Sequence, residues 1–200
     1  MRRTRASSWR NYDPDQGVRT TATLPSAGQR LGRFRVLGLD PGSLLTGFGL
    51  IEICGAEILY VSHGVVDVRG GQFVHRLRRI HTEIALLVAP APPFLALEVA
   101  VERAFMHRNA DSALKLAQAR GAALAALPDN TDVFEYAPRA IKQATVGFGA
   151  ADKSQVAFMV AKLLGLEQGL AQADAADALA VALCHANARR MTHLVAAGQA

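Results

Sequence analysis

Cysteine is scarce in this chain: Cys54 and Cys184 stand far apart, and neither has metal-ligand spacing around it. A thiolate metal centre is therefore not encoded, and both residues read most simply as reduced core thiols of an intracellular protein. Long hydrophobic runs are missing as well. The longest apolar stretches reach about ten residues, too short to cross a bilayer as a helix. No apolar segment follows the early arginines, which argues against a secretory signal. The six histidines show no paired metal spacing, and no internal repeat is present. What remains is a chain of 200 residues, half of them hydrophobic, which suits one domain with a substantial core.

The net charge of +5 is unevenly spread. Residues 1–35 hold eight arginines against Asp13 and Asp15, a surplus of six, whereas the other 14 basic and 15 acidic residues leave −1. The high pI thus belongs to the tail, and by itself does not make the folded part a nucleic-acid binder. Residues 1–33 mix Arg, Ser, Thr, Gln, Gly and Pro without hydrophobic periodicity and read as a disordered basic extension. A transit peptide, a mis-assigned start and an arm that touches phosphates all stay open for this tail.

From Phe34 the pattern changes, and residues 34–190 read as one domain, followed by a flexible end over 191–200. Strands are expected over Phe34–Asp40, Gly47–Ile53 and Glu57–Val66, and their short links suggest an antiparallel meander. Phe73, Leu77, Ile80, Ile84 and Leu87 give helical spacing over Gln72–Val88, stopped by a Pro-rich segment. A strand Phe94–Glu102, a helix Ala110–Leu127 and a short strand Asp132–Tyr136 follow. Helices over Pro138–Val146, Asp152–Leu164 and Ala173–Ala188 close the order, which is that of an α/β protein with helices covering a mixed sheet.

Four carboxylates stand out against this background. Asp40 and Glu102 each end an apolar strand, and Asp174 and Asp177 interrupt an apolar helix at i, i+3 spacing, on one side of it. Each has a plainer reading: an Asp-Pro-Gly hairpin turn, a strand-end glutamate paired to arginine, and helix capping with Asp174 at the N-cap. Unpaired carboxylates in apolar surroundings are costly, however, and a hard cation is a natural partner. Glu98 shares a strand face with Glu102 and competes with it for the second position. Lys142 and Lys153, placed beside such a site, could hold a phosphate or stabilise developing charge. Phe105 and Tyr136 could stack on unpaired bases, although core packing is the simpler role for either.

Taken in order, these segments resemble the RuvC family of Holliday-junction endonucleases. The resemblance rests on Leu37-Gly38-Leu39-Asp40-Pro41-Gly42-Ser43 with Thr46-Gly47-Phe48-Gly49, on Val101-Glu102-Arg103-Ala104-Phe105, and on Asn109 to Leu116 with Gln118-Ala119-Arg120-Gly121. It continues through Tyr136-Ala137-Pro138-Arg139, Gly149 to Val156 and Ala173 to Ala180, covering residues 35–188. It implies a ribonuclease H-like mixed sheet, a three-strand antiparallel meander plus parallel strands, flanked by helices. It also implies a homodimer that nicks opposite strands of a four-way DNA junction symmetrically, leaving 5′-phosphate and 3′-hydroxyl ends, in recombination and repair. Two Mg²⁺ per active site, replaceable by Mn²⁺, would be held by Asp40, Glu102, Asp174 and Asp177. Lys142 and Lys153 would be important for activity, and Phe105 and Arg108, with both lysines, would contact DNA. The branch-migration proteins RuvA and RuvB are the implied partners, and the bacterial cytoplasm, at the nucleoid, the implied location. Once metal-bound, the four acids leave the folded part with 14 basic against 11 acidic charges, compatible with a polyanion.

Two other readings compete. An ATPase or sugar kinase of the actin-like superfamily also starts its phosphate loop after an acidic strand end. That class needs a second Gly-rich loop and greater length, and ATP hydrolysis without DNA would mark it. A junction-binding module without catalysis would keep the fold and lose acids, yet all four acids are present.

Overall fold

The computed structural model describes residues 32–89, 95–103 and 109–197. Five strands form one sheet in the order β3-β2-β1-β4-β5. Strands β1 (Arg33–Asp40), β2 (Leu45–Cys54) and β3 (Glu57–Asp67) make the antiparallel meander, while β4 (Ala96–Glu102) and β5 (Asp132–Tyr136) run parallel to β1. The central strands are apolar on both sides because both sides are covered. Phe34, Val36 and Ala100 enter one buried cluster, and Leu37, Leu39, Val99 and Val101 enter the other.

Helices α1 (Phe73–Val88) and α2 (Ala110–Leu124) cover the second face through Ile80, Ile84, Ala119 and Ala123. Helices α3 (Pro138–Val146), α4 (Lys153–Leu163) and α5 (Ala173–Ala197) cover the first. Their ends are encoded locally. Pro138 opens α3, and Gly147 closes it with φ 90°, a left-handed conformation that glycine adopts without steric cost. A capping box opens α4: Asp152 accepts from the Gln155 amide, and the Gln155 side chain accepts from the Asp152 amide.

Four expectations need correction. The closing helix does not end near residue 188 but runs to Ala197, into the segment expected to be flexible. Cys54 is not a core thiol: it is exposed at the end of β2, and only Cys184 is buried. Arg33 belongs to β1 rather than to the tail, and with Arg35 it pairs with the buried Glu52, so two arginines of the basic surplus are structural. Asp174 is not the N-cap of its helix; it lies inside the first turn, where the dipole still favours it. Among the described residues no helix is long and apolar enough to cross a membrane.

Candidate active site

Because β1, β4 and β5 are parallel, their carboxyl ends lie together at one edge of the sheet. Asp40 is the last residue of β1 and Glu102 the last of β4. Side chains alternate along a strand, so Asp40 continues the row Phe34, Val36, Gly38, and Glu102 continues the row Glu98, Ala100. Both rows face α5: Val36 and Ala100 pack in its cluster, and Glu98 bonds to His185.

Helix α5 comes unusually close to this face. A β-carbon on Gly38 would lie 1.9 Å from the carbonyl oxygen of Ala178, and one on Gly49 would lie 2.6 Å from Leu179 Cδ2. With glycine at these positions the helix backbone rests on the strands, and its first turns deliver Asp174 and Asp177 to the edge where Asp40 and Glu102 end.

The electrostatics show that the four acids act on one another. Burial, then Asp177, Glu102 and Asp174 in that order, raise the Asp40 carboxyl to about 7, against the pull of Lys153. Burial followed by Asp177 raises Glu102, opposed by Lys153 and Lys142. Lys153 Nζ donates to Asp177 Oδ2 over 2.7 Å, and that bond holds its own pKa above the ordinary lysine value. Asp40, Glu102, Lys142, Lys153 and Asp177 line one cavity of about 330 Å³, whose apolar wall includes Ile141 and Val156. Asp174 is sensed by Asp40 and Lys153 but does not line the cavity.

The end of β4 is clamped from α2. Arg120 Nη1 donates to the Glu102 carbonyl over 2.7 Å, and its Nη2 pairs with Glu135. The Arg103 amide donates to the Tyr136 carbonyl over 2.8 Å, so the strand pairing continues past Glu102.

Among the described residues, no three acidic, histidine or cysteine side chains form a ready-made metal cage. The donor set nonetheless fits a hard divalent cation. It offers carboxylate oxygens alone, and burial together with repulsion among them raises the Asp40 carboxyl to about 7. A cation relieves that repulsion, and Lys153 relieves part of it meanwhile.

Of the residues singled out in the sequence, Asp40, Glu102, Asp177, Lys142 and Lys153 are brought together, with Asp174 beside them. Glu98 is excluded from the site, because its carboxylate is held by His185 and Arg189. Tyr136 is not offered to a base: its hydroxyl meets His185 Nδ1 at 2.7 Å. Phe105 and Arg108 lie outside the described residues. Sequence reasoning missed the Arg120 clamp and the partners of Glu98. A histidine and an arginine continuing the alanine stripe of α5 were the available signal.

A five-stranded mixed sheet with a leading meander, helices on both faces and acids gathered at the ends of β1 and β4 defines a ribonuclease H-like protein. Residues 36–185 match the family model described as Crossover junction endodeoxyribonuclease RuvC. The RuvC of Chromohalobacter salexigens is 47% identical over 156 residues, 78% of this chain and 82% of that protein. The RuvC of Vibrio cholerae is 48% identical over 166 residues, 82% of this chain and 93% of that protein. The solved Thermus thermophilus RuvC in complex with Holliday junction substrate aligns with a TM-score of 0.69 at 32% identity, covering 80% of this chain and 97% of that one. The chain belongs to the RuvC family.

Proposed function

We propose that this protein is an Mg²⁺-dependent endonuclease that resolves four-way DNA junctions by nicking opposite strands, with 5′-phosphate and 3′-hydroxyl products. The observation that carries the reading is the single cavity lined by Asp40, Glu102, Asp177, Lys142 and Lys153 in a RuvC-family chain. Asp40, Glu102, Asp174 and Asp177 are the residues that would hold two Mg²⁺, or Mn²⁺ in their place. Bound there, the metal would supply Lewis acidity toward water and the phosphodiester.

The chain's own groups do the rest. Burial of Asp40 and Glu102 keeps bulk water from screening their charge, so each interaction there is strengthened. Lys153 is held at the rim by Asp177, and Lys142 acts on Glu102 from α3. In these places the two ammonium groups can grip the non-bridging oxygens of the scissile phosphate and offset charge that builds up in the transition state. Arg120 fixes the backbone at Glu102, which limits how far that carboxylate can drift.

A homodimer presents two such sites related by a two-fold axis, matching symmetric nicks on a junction. The same reading includes Phe105 and Arg108 as DNA contacts, RuvA and RuvB as branch-migration partners, and the bacterial cytoplasm, at the nucleoid, as its setting. Cleavage of a synthetic four-way junction with Mg²⁺, repeated in EDTA, tests it. Cleavage confined to the Mg²⁺ arm is expected, and undiminished cleavage in EDTA or none in either arm would overturn it.

A further inference from the structure

Glu98 is only 10% exposed at its side chain and takes no part in the acidic site. Helix α5 takes its two oxygens separately: Oε2 lies 2.6 Å from His185 Nε2, and Arg189 Nη2 donates to Oε1 over 2.8 Å. The His185 side chain, 0% exposed, meets the Tyr136 hydroxyl of β5 on its other nitrogen. Phe134 of β5 packs on the same imidazole with ring centres 4.3 Å apart, and the Arg189 guanidinium lies over the Phe34 ring of β1 at 5.2 Å. Four residues of three elements thus form one buried polar group.

Stability does not account for it. A buried ion pair often does no better than apolar side chains of similar volume, and here the Arg189 Nε–H finds no partner among the described residues. Directionality does account for it. The side of α5 that meets the sheet lays Ala175, Ala178 and Ala182 over Gly38 and Gly47, with Leu179 against Gly49. These contacts are van der Waals and carry no directional bonds between side chains, and one residue of slip moves a helix by about 1.5 Å. His185 and Arg189 follow this contact at its far end, while Asp174 and Asp177 occupy its near end. On β4, Glu98 and Glu102 are placed in the same way.

We propose that Glu98, His185, Arg189 and Tyr136 are positioning residues: they lock α5 in register with β4 and β5 and so hold Asp174 and Asp177 within reach of Glu102 and Asp40. This rests on the reading of those four carboxylates as metal-binding groups.

The test uses the full-length protein and compares Glu98→Gln, Tyr136→Phe and the apolar triple variant Glu98→Met/His185→Leu/Arg189→Met with Asp177→Asn. Thermal stability without metal, the rise in Tm caused by Mg²⁺, junction affinity in EDTA and kcat are measured. The triple variant is expected to melt within a few degrees of wild type and bind the junction as well. Its Mg²⁺-induced rise in Tm should be lost, and its kcat lowered about 100-fold, the scale of a 1 Å misplacement. Glu98→Gln, which keeps one hydrogen bond, should lose about 10-fold by the same measure. A stable triple variant with wild-type Mg²⁺ response and kcat would overturn the inference. Should the triple variant not fold, wild-type values in both Glu98→Gln and Tyr136→Phe overturn it equally. Asp177→Asn separates the two levels: cleavage surviving in that variant removes the carboxylate reading itself, and with it this inference.

Discussion

A β-carbon on Gly47 would stand 2.0 Å from the carbonyl oxygen of Asp174. Strand β2 and the first turn of α5 therefore touch backbone to backbone at the mouth of the acidic site. Gly47→Ala must push α5 away, because the obstacle is main chain and cannot rotate aside. Overpacking of this kind costs about 1–3 kcal/mol, and the displaced Asp174 and Asp177 should cost about 100-fold in kcat. Thermal melts and junction cleavage check both, and a wild-type kcat would show that the contact does not set the site.

Asp40 carries a pH signature. Its folded-state pKa is about 7 against an ordinary value of 3.8, burial being the main cause. In chelator, the folded chain keeps a proton there that the unfolded chain has released, so this contribution to stability is full below about pH 4 and falls as pH rises to about 7. The loss is on the order of a few kcal/mol, read from urea denaturation at about pH 5 and about pH 8. Asp40→Asn should remove that difference and abolish cleavage while junction binding survives. Mg²⁺ binding by the wild type should tighten over the same interval, as the competing proton leaves. Equal pH slopes in wild type and variant would contradict the assignment.

Lys153 and Lys142 line the cavity, and Lys153 is largely exposed apart from its bond to Asp177. Lys153→Ala and Lys142→Ala are each expected to lower kcat by about 100-fold, the scale of one lost transition-state donor. Folding and junction affinity should change little, since exposed ion pairs contribute at most about 1 kcal/mol. Single-turnover cleavage and circular dichroism separate the two effects. Unchanged turnover would return both to ordinary surface lysines.

Residues 1–31 carry six arginines and two aspartates. Their removal should leave Mg²⁺-dependent cleavage intact at low salt. It should also flatten the dependence of junction affinity on salt, since fewer phosphates are neutralised. Binding titrations across a salt series give the slope, and an inactive or insoluble truncation would show the tail to be part of the fold.

Much of this was legible in the chain itself, for local reasons. The apolar run ending at Asp40 and the Pro138 and Gly147 punctuation depend on neighbours a few residues away, and those elements form where the pattern places them. The family's motifs occur in order from Leu37 to Ala180, which made the class readable. The helix end near residue 188 was misplaced because Ala-rich sequence carries no stop signal there, and α5 runs on to Ala197. Cysteine scarcity and spacing alone make Cys54 read as a core thiol, whereas its place at the end of β2, beside the turn at Gly55, leaves it exposed.

The rivalry of Glu98 and Glu102 shows where local reading ends. Both lie on one face of β4, and alternation gives them equal standing. The chain alone determined the residue types, the order of elements and the face each carboxylate occupies, because these follow from periodicity and covalent neighbours. Tertiary structure decided which glutamate reaches the acidic cavity and which is tied into the core. It also brought α5 onto the glycines of β1 and β2, so that acids over 130 residues apart act on one another. The physical reason is that partners such as His185, Arg189 and Arg120 reach β4 only when the chain closes on itself, and no spacing along the sequence records that approach.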